Sequence, residues 1–234
     1  MRTIRKIIKT LFLICAAIGI ASCSYLICEG YDLYKSAIEK DPIIAKVEEI
    51  RNKENYTKID DLPQTYLDAI IAVEDHRYYY HPGIDILAIG RAAINDIKAG
   101  SFVEGGSGIT QQLCKNLYFT QEKKFSRKIA EVFLSFQFEK LYTKDEILEL
   151  YVNSIFFGNN YYCVKEASLG YLGKLPKDMN DYESTLLAGI PNAPSAYALT
   201  KNPELAHQRQ KRVLEKMVKY KYLTEKEAKA IMHK

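Results

Sequence analysis

The sequence predicts an all-α protein behind a single N-terminal transmembrane helix. Three observations carry this. Apolar residues recur at steps of three and four along most of the chain after position 62. Helix-capping residues punctuate those stretches, and few stretches alternate as a half-buried strand would. The third is the N-terminus. Arg2, Arg5, Lys6 and Lys9 precede an uncharged run, Thr10 to Cys28, TLFLICAAIGIASCSYLIC. At 1.5 Å per helical residue that run spans about 28 Å, close to a bilayer core.

The chain therefore divides into a basic cytoplasmic tail (1–9), a signal anchor (10–28), a membrane-proximal lead-in (29–61) and one catalytic domain (62–234). The basic flank stays inside, which puts the domain outside the plasma membrane. A cleaved signal peptide would have a shorter apolar run. Ile20-Ala21-Ser22-Cys23 also matches a bacterial lipoprotein box with Cys23 as the acylated residue. The run continues through Tyr25, Leu26 and Ile27 past that cysteine, which favours an uncleaved anchor.

Within the domain, Pro63 opens a helix with Leu67, Ile70, Ile71 and Val73 on one face. Asp85 caps the next, where Ile86, Ile89, Ala93 and Ile97 are expected to face inward until Gly100 stops it. SFVEGGSGI reads as a loop. Thr110 to Phe119 resumes helix, and Ser126 to Leu141 follows with Ile129, Val132, Phe133 and Phe136 at helical spacing. Thr143 with Glu146 makes a capping box. Asn202-Pro203-Glu204 begins a long C-terminal helix, and Thr224 with Glu227 caps a last short one.

With 234 residues, 47% of them hydrophobic, the chain can build one full core. Its net charge of +4 is too mild to imply nucleic acid. Cys114 and Cys163 alone lie beyond the anchor; they suit neither a disulfide framework nor a zinc site and read as buried apolar residues.

Three stretches could carry chemistry. AVEDHRYYYHPG places Glu74 at a helix C-terminus, where the helix dipole and Asp75 disfavour a fixed negative charge. Such a carboxyl suits taking and returning a proton, although a solvated helix end explains an isolated Glu-Asp pair as well. His76 and His81 are not spaced as metal ligands on one helical face. GGSGITQQLCKN combines glycines, which let backbone approach a ligand, with Gln111 and Gln112, whose amides suit hydroxyls. Lys115, one turn after Gln111, is expected to share its cleft. KKFSRKIAEVF crowds Lys123, Lys124, Arg127 and Lys128 into six positions, a density that attracts a diphosphate. Helix-surface salt bridges to Glu131 are the structural alternative there. Together the stretches fit a reaction on a lipid-linked phosphorylated sugar.

In these motifs the chain resembles the peptidoglycan glycosyltransferases, the module found in class A penicillin-binding proteins and in stand-alone monofunctional enzymes. The likeness runs from about Leu62 to Met217. The family's E-D-x-x-F-x-x-H-x-G is EDHRYYYHPG here, with Tyr78 for phenylalanine. G-x-S-T-I-T-Q-Q is GGSGITQQ, with Ser107 kept and Gly108 for threonine. R-K-x-x-E is Arg127 to Glu131, K-x-x-I-L-E-x-Y-x-N runs from Lys144 to Asn153, and R-R-x-x-V-L is partly kept from Arg209 to Leu214. Lys123 stands where members usually carry arginine, and Asn160 and Cys163 replace glycines.

The resemblance implies a lysozyme-like, two-lobed helical fold that polymerises lipid II into β-1,4-linked glycan strands with inversion, releasing undecaprenyl diphosphate. It implies Glu74 as general base and Glu131 as a second catalytic acid positioning donor or cation. Ser107, Gln111, Gln112, Lys115, Lys123, Arg127 and Lys128 would bind substrate. Asp75 and His81 would orient the loop, and Tyr151 and Asn153 would be structural. No cofactor is obligatory, though a divalent cation (Mg or Mn) is compatible with the diphosphate. Partners would be lipid II, the growing strand and the membrane, with penicillin-binding transpeptidases and divisome or elongation proteins beside them. The chain contains no S-x-x-K or K-T-G, so the monofunctional form is expected. A lytic transglycosylase or muramidase would also use a glutamate but has no need of the cation cluster. A non-catalytic cell-wall scaffold is the remaining alternative.

Overall fold

The computed structural model describes residues 2–101, 105–120 and 124–232. No strand occurs among them, so the all-α expectation holds. The first helix, α1 (Arg2–Lys40), is long and apolar enough to cross a membrane, and its apolar side chains from Ile4 to Ile27 are mostly exposed.

This helix does not end where the uncharged run ends. It continues to Lys40 and lies against α6 (Phe125–Leu141). Gly30 makes that crossing close, because a Cβ there would stand 2.6 Å from Ile129 Cβ and 2.9 Å from the Ser126 carbonyl oxygen. Tyr31 and Tyr34 then pack on Phe133, with ring centroids 5.3 and 5.7 Å apart. Segment 29–61 also adds Ile43, Val47 and Ile50 to the core; all three come from α2 (Ile43–Arg51).

Helix α3 (Gln64–Glu74) is buried nearly all round, with Leu67, Ile70, Ile71 and Val73 joined by Tyr66, Ala69 and Ala72. Pro63 is its N-cap, one position before the first helical residue. After a loop with a 3-10 turn at Tyr78–Tyr80 comes α4 (Ile86–Ala99). Asp85 caps it through Ala88 N–H, and Gly100 ends it at a positive φ of 63°.

The expected inward face of α4 is corrected by the structure. Of this helix only Ala92 is buried, whereas Ile86 is 78% and Ile97 80% exposed. Periodicity marks an apolar face but does not say what covers it.

The rest of the core follows from α5 (Ile109–Tyr118), which packs on α6 and on α7 (Lys144–Val152). Helix α6 uses two faces: Ala130, Leu134 and Phe138 enter the core while Ile129 and Phe133 meet α1, and Phe136 stays exposed. The Thr143–Glu146 capping box forms as the sequence predicts. Then come α8 (Val164–Leu172), α9 (Asp181–Gly189) and the single turn α10 (Pro194–Tyr197). The chain closes with α11 (Pro203–Lys219) and α12 (Glu225–Met232), the latter capped by Thr224 and Glu227. Helices α9 and α11 both pack on α3. Cys114 and Cys163 are buried and free.

Candidate active site

Glu74 is the last residue of α3, and its carboxylate faces a cleft of about 470 Å³. Gly105 to Gly108 form one wall with Gln112 and Lys115, and Arg209, Arg212 and Lys216 of α11 form another. The glutamate is only 9% exposed at its side chain. Its Oε2 accepts from Gln112 Nε2 at 2.9 Å. Its Oε1 has no hydrogen-bond partner in the protein and lies 3.9 Å from the Arg209 guanidinium. One oxygen is thus committed and the other is available, which is what a proton acceptor needs.

The two residues after Glu74 behave differently. Asp75 is buried; its carboxylate takes His81 Nε2 at 3.0 Å and the Ile109 N–H at 3.0 Å. The second bond caps the N-terminus of α5, so one aspartate ties the segment that carries Glu74 to the glycine loop. His76 lines the cleft and stacks on Tyr220, with centroids 3.9 Å apart. Burial, then the charge of Arg91, pushes the His76 imidazole below its ordinary value, which keeps it neutral.

Asp75, His81 and Asp85 bring ligand-type atoms within 4.8 Å of one another. Each is already engaged inside the protein: Asp85 accepts from Ala88 N–H and pairs with Arg77 Nε at 3.0 Å, while Asp75 serves His81 and Ile109. That chemistry fits a brace for the loop better than a cation site. Lys144 continues the brace, donating to the His81 carbonyl and to Glu139 Oε1, each at 2.7 Å. Thr110 of α5 donates to the same Glu139 oxygen at 2.6 Å.

Lys115 stands between the two glutamates. Burial lowers its ammonium from the ordinary lysine value; Glu131 and Glu74 oppose this, and Lys128 and Arg127 add to it. A further negative charge in the cleft would relieve that crowding. Glu131 itself is 1% exposed and does not line the cleft. Its Oε1 takes Arg127 at 2.5 Å and its Oε2 takes Lys128 at 2.8 Å. Lys128 also donates to Ser107 Oγ at 2.6 Å, so the cation helix reaches the cleft wall through that serine. Lys123 lies outside the described residues.

Gln111 differs from its expected place. It is fully buried on α5, both of its amide atoms lack partners, and it is absent from the cleft wall. Successive helical residues are 100° apart, so a single position decides which glutamine faces the cleft; that one is Gln112. The structure also brings to the cleft Arg209 and Arg212 of the partly kept fifth motif, to which the sequence assigned no site role, together with Lys216. Arg209, Arg212 and Lys216 recur at steps of three and four, a basic stripe on one face of α11. That stripe was readable in the sequence, but which face of the helix met the site was not.

The sequence profile described as Transglycosylase matches residues 40–218. The chain is 43% identical over 172 residues to Penicillin-binding protein 1A of Neisseria gonorrhoeae, covering 74% of this chain and 22% of that one. It is 44% identical over 170 residues to Penicillin-binding protein 1F of Bacillus subtilis (strain 168), covering 73% and 24%. A crystal structure of Penicillin-Binding Protein 1A from Haemophilus influenzae aligns with 76% of this chain and 17% of its own, at a TM-score of 0.45 and 23% identity. The chain spans about a quarter of the length of the curated relatives it matches. With its family profile covering most of the sequence, the chain belongs to the transglycosylase family.

Proposed function

We propose that this protein is a membrane-anchored peptidoglycan glycosyltransferase that polymerises lipid II, with inversion, into β-1,4-linked strands. The observation that carries this reading is the Oε1 atom of Glu74, buried in a cleft walled by cations and lacking a hydrogen-bond partner. In the proposed step Glu74 Oε1 takes the proton from the 4-hydroxyl of the acceptor's N-acetylglucosamine. That oxygen bonds to C1 of the donor strand's N-acetylmuramic acid as the C1–O bond to phosphate breaks. The electron pair leaves with undecaprenyl diphosphate, whose growing charge is met by Lys115, Lys128 and Arg127. Gln112 keeps the second carboxylate oxygen occupied. The exposed apolar face of α4 would lie against the membrane that α1 crosses, with the basic N-terminus inside and the cleft outside. A divalent cation could help neutralise the diphosphate without a dedicated protein cage.

Purified full-length protein in detergent or vesicles, given lipid II, should produce long glycan strands. Glu74→Gln should remove polymerisation while lipid II binding persists. Equal polymerisation by that variant would dismiss Glu74 as the base. Shortening of added strands without any new polymer would replace the synthetic reading with a cleaving one.

A further inference from the structure

We infer that Tyr151 is a positioning residue of this reaction, acting on Glu74 through the side-chain amide of Gln112. The inference rests on Glu74 being the base, as proposed above. Tyr151 belongs to α7, is fully buried and cannot itself touch a substrate in the cleft. Its hydroxyl donates to Gln112 Oε1 at 3.1 Å, and Gln112 Nε2 donates to Glu74 Oε2 at 2.9 Å. The three side chains come from α7, α5 and α3, so the chain of bonds exists only in the folded cleft.

The chemistry of an amide gives the arrangement its purpose. Gln112 has a donor end and an acceptor end that exchange by a half-turn. While Glu74 is ionised it can only accept, so it draws the donor end. Once it has taken a proton, an unrestrained amide could turn its carbonyl toward the new acid and hold that proton there. A phenol pinned on Oε1 opposes that turn. It also keeps Oε2 the occupied oxygen and Oε1 the reactive one. Burial, with the charge of Glu74 added, pushes the Tyr151 phenol far above its ordinary value, so it remains a donor at any working pH.

The other charged or titratable groups lining the cleft with Glu74 are Arg209, Arg212 and Lys216 from α11, Lys115 from α5, Arg91 from α4, Asp85, and Asp75 with His76 beside it in the chain. The Tyr151 hydroxyl is what meets Gln112 Oε1, so the phenol fixes the acceptor end of the amide.

The test is Tyr151→Phe, which keeps the ring and removes only the hydroxyl. With lipid II as substrate, kcat should fall roughly tenfold, the scale of one hydrogen bond. KM should change less than about twofold, and the acidic limb of the kcat/KM profile should move to higher pH, because a freed amide favours protonated Glu74. In a Gln112→Leu background the same tyrosine change should have no further effect. An unmoved acidic limb, or the same loss with and without Gln112, overturns the relay. Glu74→Gln is run alongside: activity retained there defeats the base assignment and the relay together. Its loss, combined with additive behaviour of Tyr151 and Gln112, defeats the relay alone.

Discussion

Gly108 and Asp75 occupy one another's space: a Cβ built on the glycine would run into Asp75 Oδ2. The family motif carries threonine at this position, and here the aspartate fills the volume a side chain would take. The φ of Gly108 is −78°, so its backbone would tolerate any residue; the requirement is room alone.

Gly108→Thr should therefore displace Asp75 from His81 and from the Ile109 N–H, the bond that joins the Glu74 segment to the glycine loop. The expected loss is about 1–3 kcal/mol of stability, the range for overpacking or for an orphaned buried group. Polymerisation should fall as well. Denaturant midpoints and lipid II turnover measure both, and a stable, more active variant would show that the loop can relax around the added group.

Gly30 is the corresponding position on the membrane helix. It lies two residues past Cys28, about 3 Å further along the axis, and it faces the first turns of α6, where Arg127 and Lys128 sit. Gly30→Ala gains helix propensity of about 1 kcal/mol. The added methyl would meet Ile129 Cβ and a backbone oxygen at Ser126, neither of which can swing aside. The clash should win, costing about 1–3 kcal/mol. The variant should melt earlier and show a raised KM for lipid II in vesicles. Unchanged melting and KM would mean that α1 and α6 are not held together at this point.

Lys115 gives a pH prediction with a definite sign. Its ammonium is lowered by burial, then by Lys128 and Arg127 against the pull of the two glutamates. A lysine is charged below its pKa, so activity that needs this charge is lost as pH rises through a value below that of an ordinary lysine. Lys115→Arg should shift that alkaline limb upward, because guanidinium stays charged. Lys115→Met should cut kcat about a hundredfold, as removal of one charge-stabilising group commonly does. An alkaline limb that stays in place with arginine would assign it to another group.

Much of this was legible in the chain. Capping at Asp85, Thr143 and Thr224 depends on residues within three or four positions, and each cap forms. What failed were statements about partners. The isoleucines of α4 have helical spacing, yet nothing in their order says that the described residues leave Ile86, Ile94 and Ile97 largely exposed. Gln111 and Gln112 are the same residue type at adjacent positions, and only the orientation of α5 decides that the second faces Glu74. Arg209 approaches Glu74 from 135 positions away, a juxtaposition produced by packing of α11 on α3.

The two glutamates should also separate by experiment. Glu131 is enclosed with one cation on each carboxylate oxygen, whereas Glu74 has an oxygen to spare. Replacing Glu131 with glutamine leaves Arg127, largely buried, facing a neutral amide, and breaks the pairing that aims Lys128 at Ser107. Destabilisation of about 1–3 kcal/mol is expected, below the full penalty of an unpaired buried charge because glutamine can still accept one hydrogen bond. Lipid II KM should rise and kcat should fall without vanishing. Glu74→Gln should do the reverse, losing kcat at nearly unchanged Tm. If Glu131→Gln instead abolished kcat with Tm and KM intact, its carboxylate would have to move protons in the reaction, and its enclosure by Arg127 and Lys128 would have to open during turnover.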